Sequence, residues 1–159
     1  MGVRNSEEFG ENLINIATKL LDNTKLCQYL KNTSENPLYD PIERKNILHN
    51  NIRVVPLVKE EENSAESTLV LIYNKANINE ENTEFDKVHF SVLAYVPLKT
   101  WIINDKNLRP FLIISELERS LKGKRVEGLG KLKYHGWELE MITDIMGCFR
   151  LRFSFDSFS

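Results

Sequence analysis

Cysteine is scarce in this chain. Only Cys27 and Cys148 carry thiols among 159 residues, too few for the disulfide framework of a small secreted domain. Cys27 falls in a helical pattern and Cys148 at the start of a strand pattern, so both read as small buried hydrophobes. A long apolar run is missing too, since none approaches the ~20 residues that a membrane helix needs. Near the N-terminus Glu7, Glu8, Glu11 and Asn12 interrupt any signal-peptide core. The expectation is a reducing compartment and no membrane. The three histidines, His49, His89 and His135, lack metal-ligand spacing, and neither H-x-x-x-H nor C-x-x-C occurs. A structural zinc site is therefore not expected.

Nucleotide and hydrolase signatures are also lacking. Gly128-Leu129-Gly130 begins like a dinucleotide fingerprint, but Lys133 stands where the third glycine belongs, and a strand pattern follows instead of a helix. The segment reads as a glycine bend. There is no P-loop and no G-x-S-x-G elbow. Glu60, Glu61 and Glu62 form a solvated run, not a paired acid–base site. No residue is singled out as catalytic, metal-binding or cofactor-binding, and an enzyme is not the expectation.

Nor is there a dominant charge, since the net value of -2 gives no global basic field. Charge is uneven, however. Lys59 to Asp86 holds eight acids and two bases, whereas Lys99 to Lys133 holds nine bases and four acids. Such asymmetry either marks two solvated faces or orients the protein against a charged partner. The basic cluster Lys122, Lys124, Arg125, Lys131 and Lys133 suits phosphate contact, with Tyr134 and Trp137 nearby for stacking. The plainer account is helix-end complementarity followed by the polar face of a strand. Trp137 shares its spacing with Leu139 and Met141, which argues for the core.

What the chain does contain is the ordinary material of one globular domain: 42% hydrophobic and 28% charged residues. Asn5 or Ser6 suits a helix cap, with Glu7 and Glu8 at the positive end. Phe9, Leu13, Ile16, Ala17 and Leu20 then recur at helical spacing, predicting a helix over 6–22. Asn23 restarts the chain into a short helix with Leu26, Cys27 and Leu30 on its apolar side. A turn-rich stretch, 32–41, precedes one or two helical turns between Ile42 and His49. Ile52 to Val58 reads as a strand with Pro56 marking an edge or bulge. Lys59 to Ser67 is predicted as an exposed acidic loop, Thr68 to Tyr73 as a strand, and Asn74 to Asp86 as a second polar loop.

Val88 to Val96 is apolar on both faces, which predicts a central strand. Pro110 fits the start of a helix in which Phe111, Ile114, Leu117 and Leu121 share a face. Gly123 suits its left-handed cap. The remainder reads as a β-meander, with a tight turn at His135-Gly136, another at Gly147, and a final strand carrying Phe149, Leu151, Phe153 and Phe155. That last strand, with Phe158 beyond it, is either a core strand or an exposed edge for another subunit. The order predicts an α+β fold: a mostly antiparallel sheet of five to six strands with two to three packed helices. All of 1–159 forms one domain, helical over about 6–50, then a sheet with one inserted helix over about 52–155.

Leu20-Leu21-Asp22-Asn23, then Leu26 to Leu30, is similar to the opening of phage neck and tail-terminator proteins. So are the strand Val88 to Val96, Arg109-Pro110 with the helix to Leu121, and the Gly128-Leu129-Gly130 entry to a meander. The chain resembles these head–tail joining proteins in its order of elements more than in a string of identities. The resemblance implies a virion protein assembled in the host cytoplasm. It implies a homo-oligomeric ring, often a hexamer, that caps the tail tube and meets the head connector. Its chemistry would be binding, without a cofactor. The polar stretches 59–67 and 74–86 would then supply subunit contacts, with Glu60, Glu61, Glu62, Glu80 and Glu81 as candidates. A nucleic-acid accessory protein using region 122–133 is the alternative, and direct DNA contact remains open beside the ring.

Overall fold

The computed structural model describes residues 6–55, 65–81 and 84–156. The Glu60–Glu62 run, most of the predicted acidic loop, the end of the strand predicted through Val58, and Phe158 lie outside the described residues.

Helix α1 spans Glu7–Leu20 and buries Leu13, Ile16, Ala17 and Leu20. Ser6 does not cap it through its side chain; its carbonyl instead accepts from the Phe9 N–H at 3.2 Å. Asn23 does act as a cap for α2 (Thr24–Lys31), its Oδ1 accepting from the Leu26 N–H at 3.0 Å. The helical turns expected after Ile42 shrink to a 3₁₀ turn, Arg44–Asn46. Strand β1 is only Ile52–Arg53 and runs parallel to β2, Thr68–Ile78.

β2 and β3 (Phe85–Pro97) form a long antiparallel hairpin. The polar loop predicted over 74–86 is thus mostly paired strand among its described residues, with β2 running to Ile78 and β3 beginning at Phe85. The error has a physical cause. Ladder hydrogen bonds form whatever the side chains, and of this stretch's described residues only Ala76 and Phe85 pack against the core, Phe85 with its ring 5.0 Å from Phe9 of α1. Two short strands, β4 (Ile102–Ile103) and β5 (Asn107–Leu108), precede α3, Arg109–Leu121. Gly123 follows at φ 68°, as a left-handed cap requires.

The meander begins with a small hairpin, β6 (Arg125–Val126) and β7 (Gly130–Lys131). Then come β8 (Lys133–Ile142) and β9 (Met146–Asp156). His135-Gly136 is not a turn. It lies inside β8 at a bulge between Tyr134 and Trp137, with Gly136 at φ 93°. A glycine within a strand signals a bulge as readily as a turn. The reversal itself sits at Thr143–Met146, where the Thr143 N–H donates to the Met146 carbonyl at 2.8 Å.

The main sheet has order β1-β2-β3-β9-β8, antiparallel except for β1. The fold class is α+β. β3 is internal, as its two apolar faces predicted. β9, the last strand, is also internal: it pairs with β3 from Lys87↔Asp156 to Pro97↔Met146 and with β8 on its other side. It is not the exposed edge. That place belongs to β8.

One face of the sheet carries the core. Leu69, Leu71, Phe90, Val92, Leu151 and Phe153 meet the buried faces of all three helices. Phe90 and Phe153 stack with ring centres 5.3 Å apart. The opposite face has a minor apolar cluster of Val70, Leu93 and Cys148, with Ile72 and Tyr95 packed on it. Both cysteines are free and buried, and burial pushes each thiol up to about 11.

Candidate interaction surfaces

A sheet face or helix stripe is covered only where a second layer reaches it. The helices reach across β2, β3 and β9, and β8 lies at the margin. Tyr134, Trp137 and Leu139 pair across β9 with Phe153, Leu151 and Phe149, so their side chains share the helix-covered face. Yet Trp137 is 46% exposed and Leu139 52%. Met141, on the other face opposite Cys148, is also exposed. The spacing that suggested core identified a shared face correctly for Trp137 and Leu139, but no described residue fully covers it. A second bulge, between Leu139 and Met141, explains why Met141 leaves that face.

Phe111, expected on the buried face of α3, instead points to this margin. Its ring lies 5.6 Å from Trp137 and 5.7 Å from Phe149, and it is 38% exposed. The buried stripe of α3 runs through Ile113, Ile114, Leu117 and Leu121. Exposed Ile142 continues the strip along β8.

Apart from Met141 and Cys148, the opposite face of β8 and β9 is polar and internally paired. Arg150 binds Glu140 with two bonds, 2.9 and 3.1 Å, and reaches Ser91 Oγ at 3.1 Å. The bond from Arg150 holds the Glu140 carboxyl below its ordinary value. Arg152 pairs with Glu138, and Lys133 with Asp156 at 2.9 Å. His135 Nε2 lies 2.6 Å from Ser154 Oγ, and its ring is 6.1 Å from that of His89. Burial lowers the His89 pKa, and nearby Lys75, His135 and Lys87 lower it further.

The basic residues singled out in the sequence are spread over one end of the molecule. Lys122, Lys124, Arg125 and Lys131 are exposed around the β6–β7 hairpin, in which Arg125 pairs with Lys131. Lys133 is tied to Asp156. The structure adds cations that the sequence reading missed. Lys19, Lys25, Arg119 and Lys124 line an open groove of about 500 Å³, together with Asp22, Asn23, Thr24 and Ser120. Lys19 and Arg119 lie in the last turns of α1 and α3, the place where cations complement a helix dipole. That position was the available signal, and it also supplies the structural reason for the charges. Arg119 is further paired with Glu116. Glu80 and Glu81 sit exposed at the β2–β3 hairpin tip.

Among the described residues no group of three or more His, Cys, Asp or Glu side chains is placed to hold a metal ion. Nor is any helix among them long and apolar enough to cross a membrane. No curated protein matches the chain. Residues 23–155, most of its length, match the model of the YomW family. The chain therefore belongs to the YomW family, a phage-related one compatible with a phage protein.

Proposed function

We propose that this chain is a structural subunit of a tailed-phage particle, a neck or tail-terminator protein that works by association. The observation that carries the reading is the uncovered apolar margin along β8. Contiguous exposed apolar surface of several hundred Å² is the ordinary mark of an interaction site. Membership of a phage-related family supports the setting. In this reading the subunits form a ring, probed most simply as a hexamer, that caps the tail tube and meets the head connector. The β2–β3 hairpin, with Glu80 and Glu81 exposed at its tip, would meet the neighbouring ring. Light scattering of the purified protein, alone and with isolated tail tubes, tests the assembly. Mass spectrometry of purified particles tests the location, and particles without this chain would refute the proposal.

The groove lined by Lys19, Lys25, Arg119 and Lys124 favours one second reading, a nucleic-acid accessory role. Phosphate contacts would make binding fall steeply with salt. Lys25→Glu together with Lys124→Glu would then abolish retention of DNA at low salt. Absence of retention by the wild-type chain in the same assay removes this reading.

A further inference from the structure

β8 is the edge strand of the main sheet, and among the described residues no strand pairs with its outer margin. Its pattern has a symmetry that neither bulge shows alone. The residues on the helix-covered face are Tyr134, Trp137, Leu139 and Ile142, opposite Phe153, Leu151, Phe149 and Gly147. They are mirrored about Glu138: Tyr134 with Ile142, and Trp137 with Leu139. The other face shows the same mirror, His135 with Met141. Even the two register shifts, Tyr134/Trp137 and Leu139/Met141, fall on opposite sides of Glu138. In an antiparallel pair, directly opposed residues share a face. A strand with this mirrored order is therefore complementary to itself.

We propose that two copies of this chain pair antiparallel through β8 across a two-fold axis at Glu138, making one continuous sheet. Edge bulges ordinarily discourage pairing because they twist the margin away. Here the two-fold sets Gly136 against Glu140 of the second copy, so the extra residues oppose one another and the register holds on both sides. Trp137 meets Leu139 of the other copy, and Tyr134 meets Ile142. These are aromatic–aliphatic pairs of the kind that stabilise sheets.

Charge agrees with this partner. Lys133 at the start of β8, with Lys131 just before it, comes beside Asp144, just past the strand's end. The two Glu138 carboxylates meet at the axis, a like-charge pair that opposes the contact and that the Arg152 partner of each offsets. With Phe111 beside Trp137, the exposed side chains of Phe111, Trp137, Leu139 and Ile142 come under cover together. An isologous contact differs in kind from the head-to-tail contact that a ring requires, and it would occupy the same β8 margin, so a ring would have to form from such dimers through other surfaces. The inference stands whether or not the chain is a virion protein.

Glu138→Cys tests the register. At a two-fold the residue faces itself at about 4.5–5.5 Å between Cα atoms, inside the range a disulfide spans. Mild oxidation is expected to convert most of this variant to a covalent dimer. Lys133→Cys, whose two copies would lie about 30 Å apart at the strand rise, is expected to stay uncrosslinked. Wild-type protein is expected to sediment at twice the monomer mass, and Leu139→Lys, at a half-exposed position, at the monomer mass with unchanged circular dichroism. A wild-type chain that remains monomeric at about 200 μM overturns the proposal. So does an oligomer of any size that survives Leu139→Lys, or one that crosslinks at position 133 rather than 138.

Discussion

Arg109 offers the sharpest test of how this fold is held together. It begins α3, a poor place for a cation beside the positive helix end, and yet it is 1% exposed. No carboxylate accepts from it among the described residues. Its guanidinium donates instead to four carbonyls: Thr100 and Tyr29 at 2.8 Å, Asn32 at 2.8 Å and Ser34 at 2.7 Å. It thereby ties the last turn of α2, the following loop and the turn before β4 to the start of α3. Burial lowers its pKa, and Tyr29 acts in the opposite sense.

Consider Arg109→Met, which removes the charge and keeps much of the volume. The bonds to Thr100 and Tyr29 are buried, whereas those to Asn32 and Ser34 are partly open. Water can replace the donor at the open pair. At the buried pair each stranded carbonyl costs about 1–3 kcal/mol. Relief of the cation's desolvation offsets part of this. The net expectation is a loss of about 3 kcal/mol, or a midpoint lower by about 6–12 °C for a chain of this size. Arg109→Lys, which retains charge but not the planar fork, should lose about half as much. Urea unfolding followed by tryptophan fluorescence measures both. The neighbouring Trp101, whose carbonyl accepts from the Arg109 N–H at 2.6 Å, is a built-in reporter. A Met variant as stable as the wild type would refute the reasoning, because desolvation would then outweigh the four bonds.

Other expectations follow from single contacts. A Cβ at Gly147 would stand 2.5 Å from Trp101 Cζ2, so Gly147→Ala should displace the indole, destabilise by about 1–3 kcal/mol and alter near-ultraviolet dichroism. Cys27 and Cys148, raised to about 11 by burial, should react with a disulfide reagent at pH 8 only on unfolding; rapid native labelling of either contradicts this. His89 has its pKa lowered from 6.5 by burial, then by Lys75, His135 and Lys87. The unfolded chain therefore binds its proton more readily, and stability should fall as pH drops through about 6.5 and below. His89→Gln should flatten the stability profile between pH 7 and 5, and an unchanged slope would exclude His89 as its source.

Much of the site was legible only in part. The spacing of Trp137 and Leu139 revealed that they share a face, but not that the face lies at a margin. Lys124 was visible as a cation, whereas its gathering with Lys19, Lys25 and Arg119 depends on how the ends of α1, α2 and α3 meet. In the sequence Arg109 was only one of nine bases between Lys99 and Lys133, because nothing local distinguishes a guanidinium that finds four carbonyls from one that finds water. The polar residues 74–78 hid the far end of a hairpin held mainly by backbone pairing, with Ser91 Oγ donating to Asn74 Oδ1 at 2.7 Å.

The sequence by itself determined the three helices, the strands through 68–73, 88–96 and 149–155, where α2 is capped and α3 ends, and the shared face of Trp137 and Leu139. These follow from local periods, caps and glycine conformations that act within a few residues. The tertiary structure alone decided that β9 is inserted between β3 and β8, so the last strand is core and the one before it is edge. Strand order is set by contacts far apart in the chain, and the width of the helical layer sets which strand stays uncovered. Identical alternation therefore buries Phe153 and exposes Leu139.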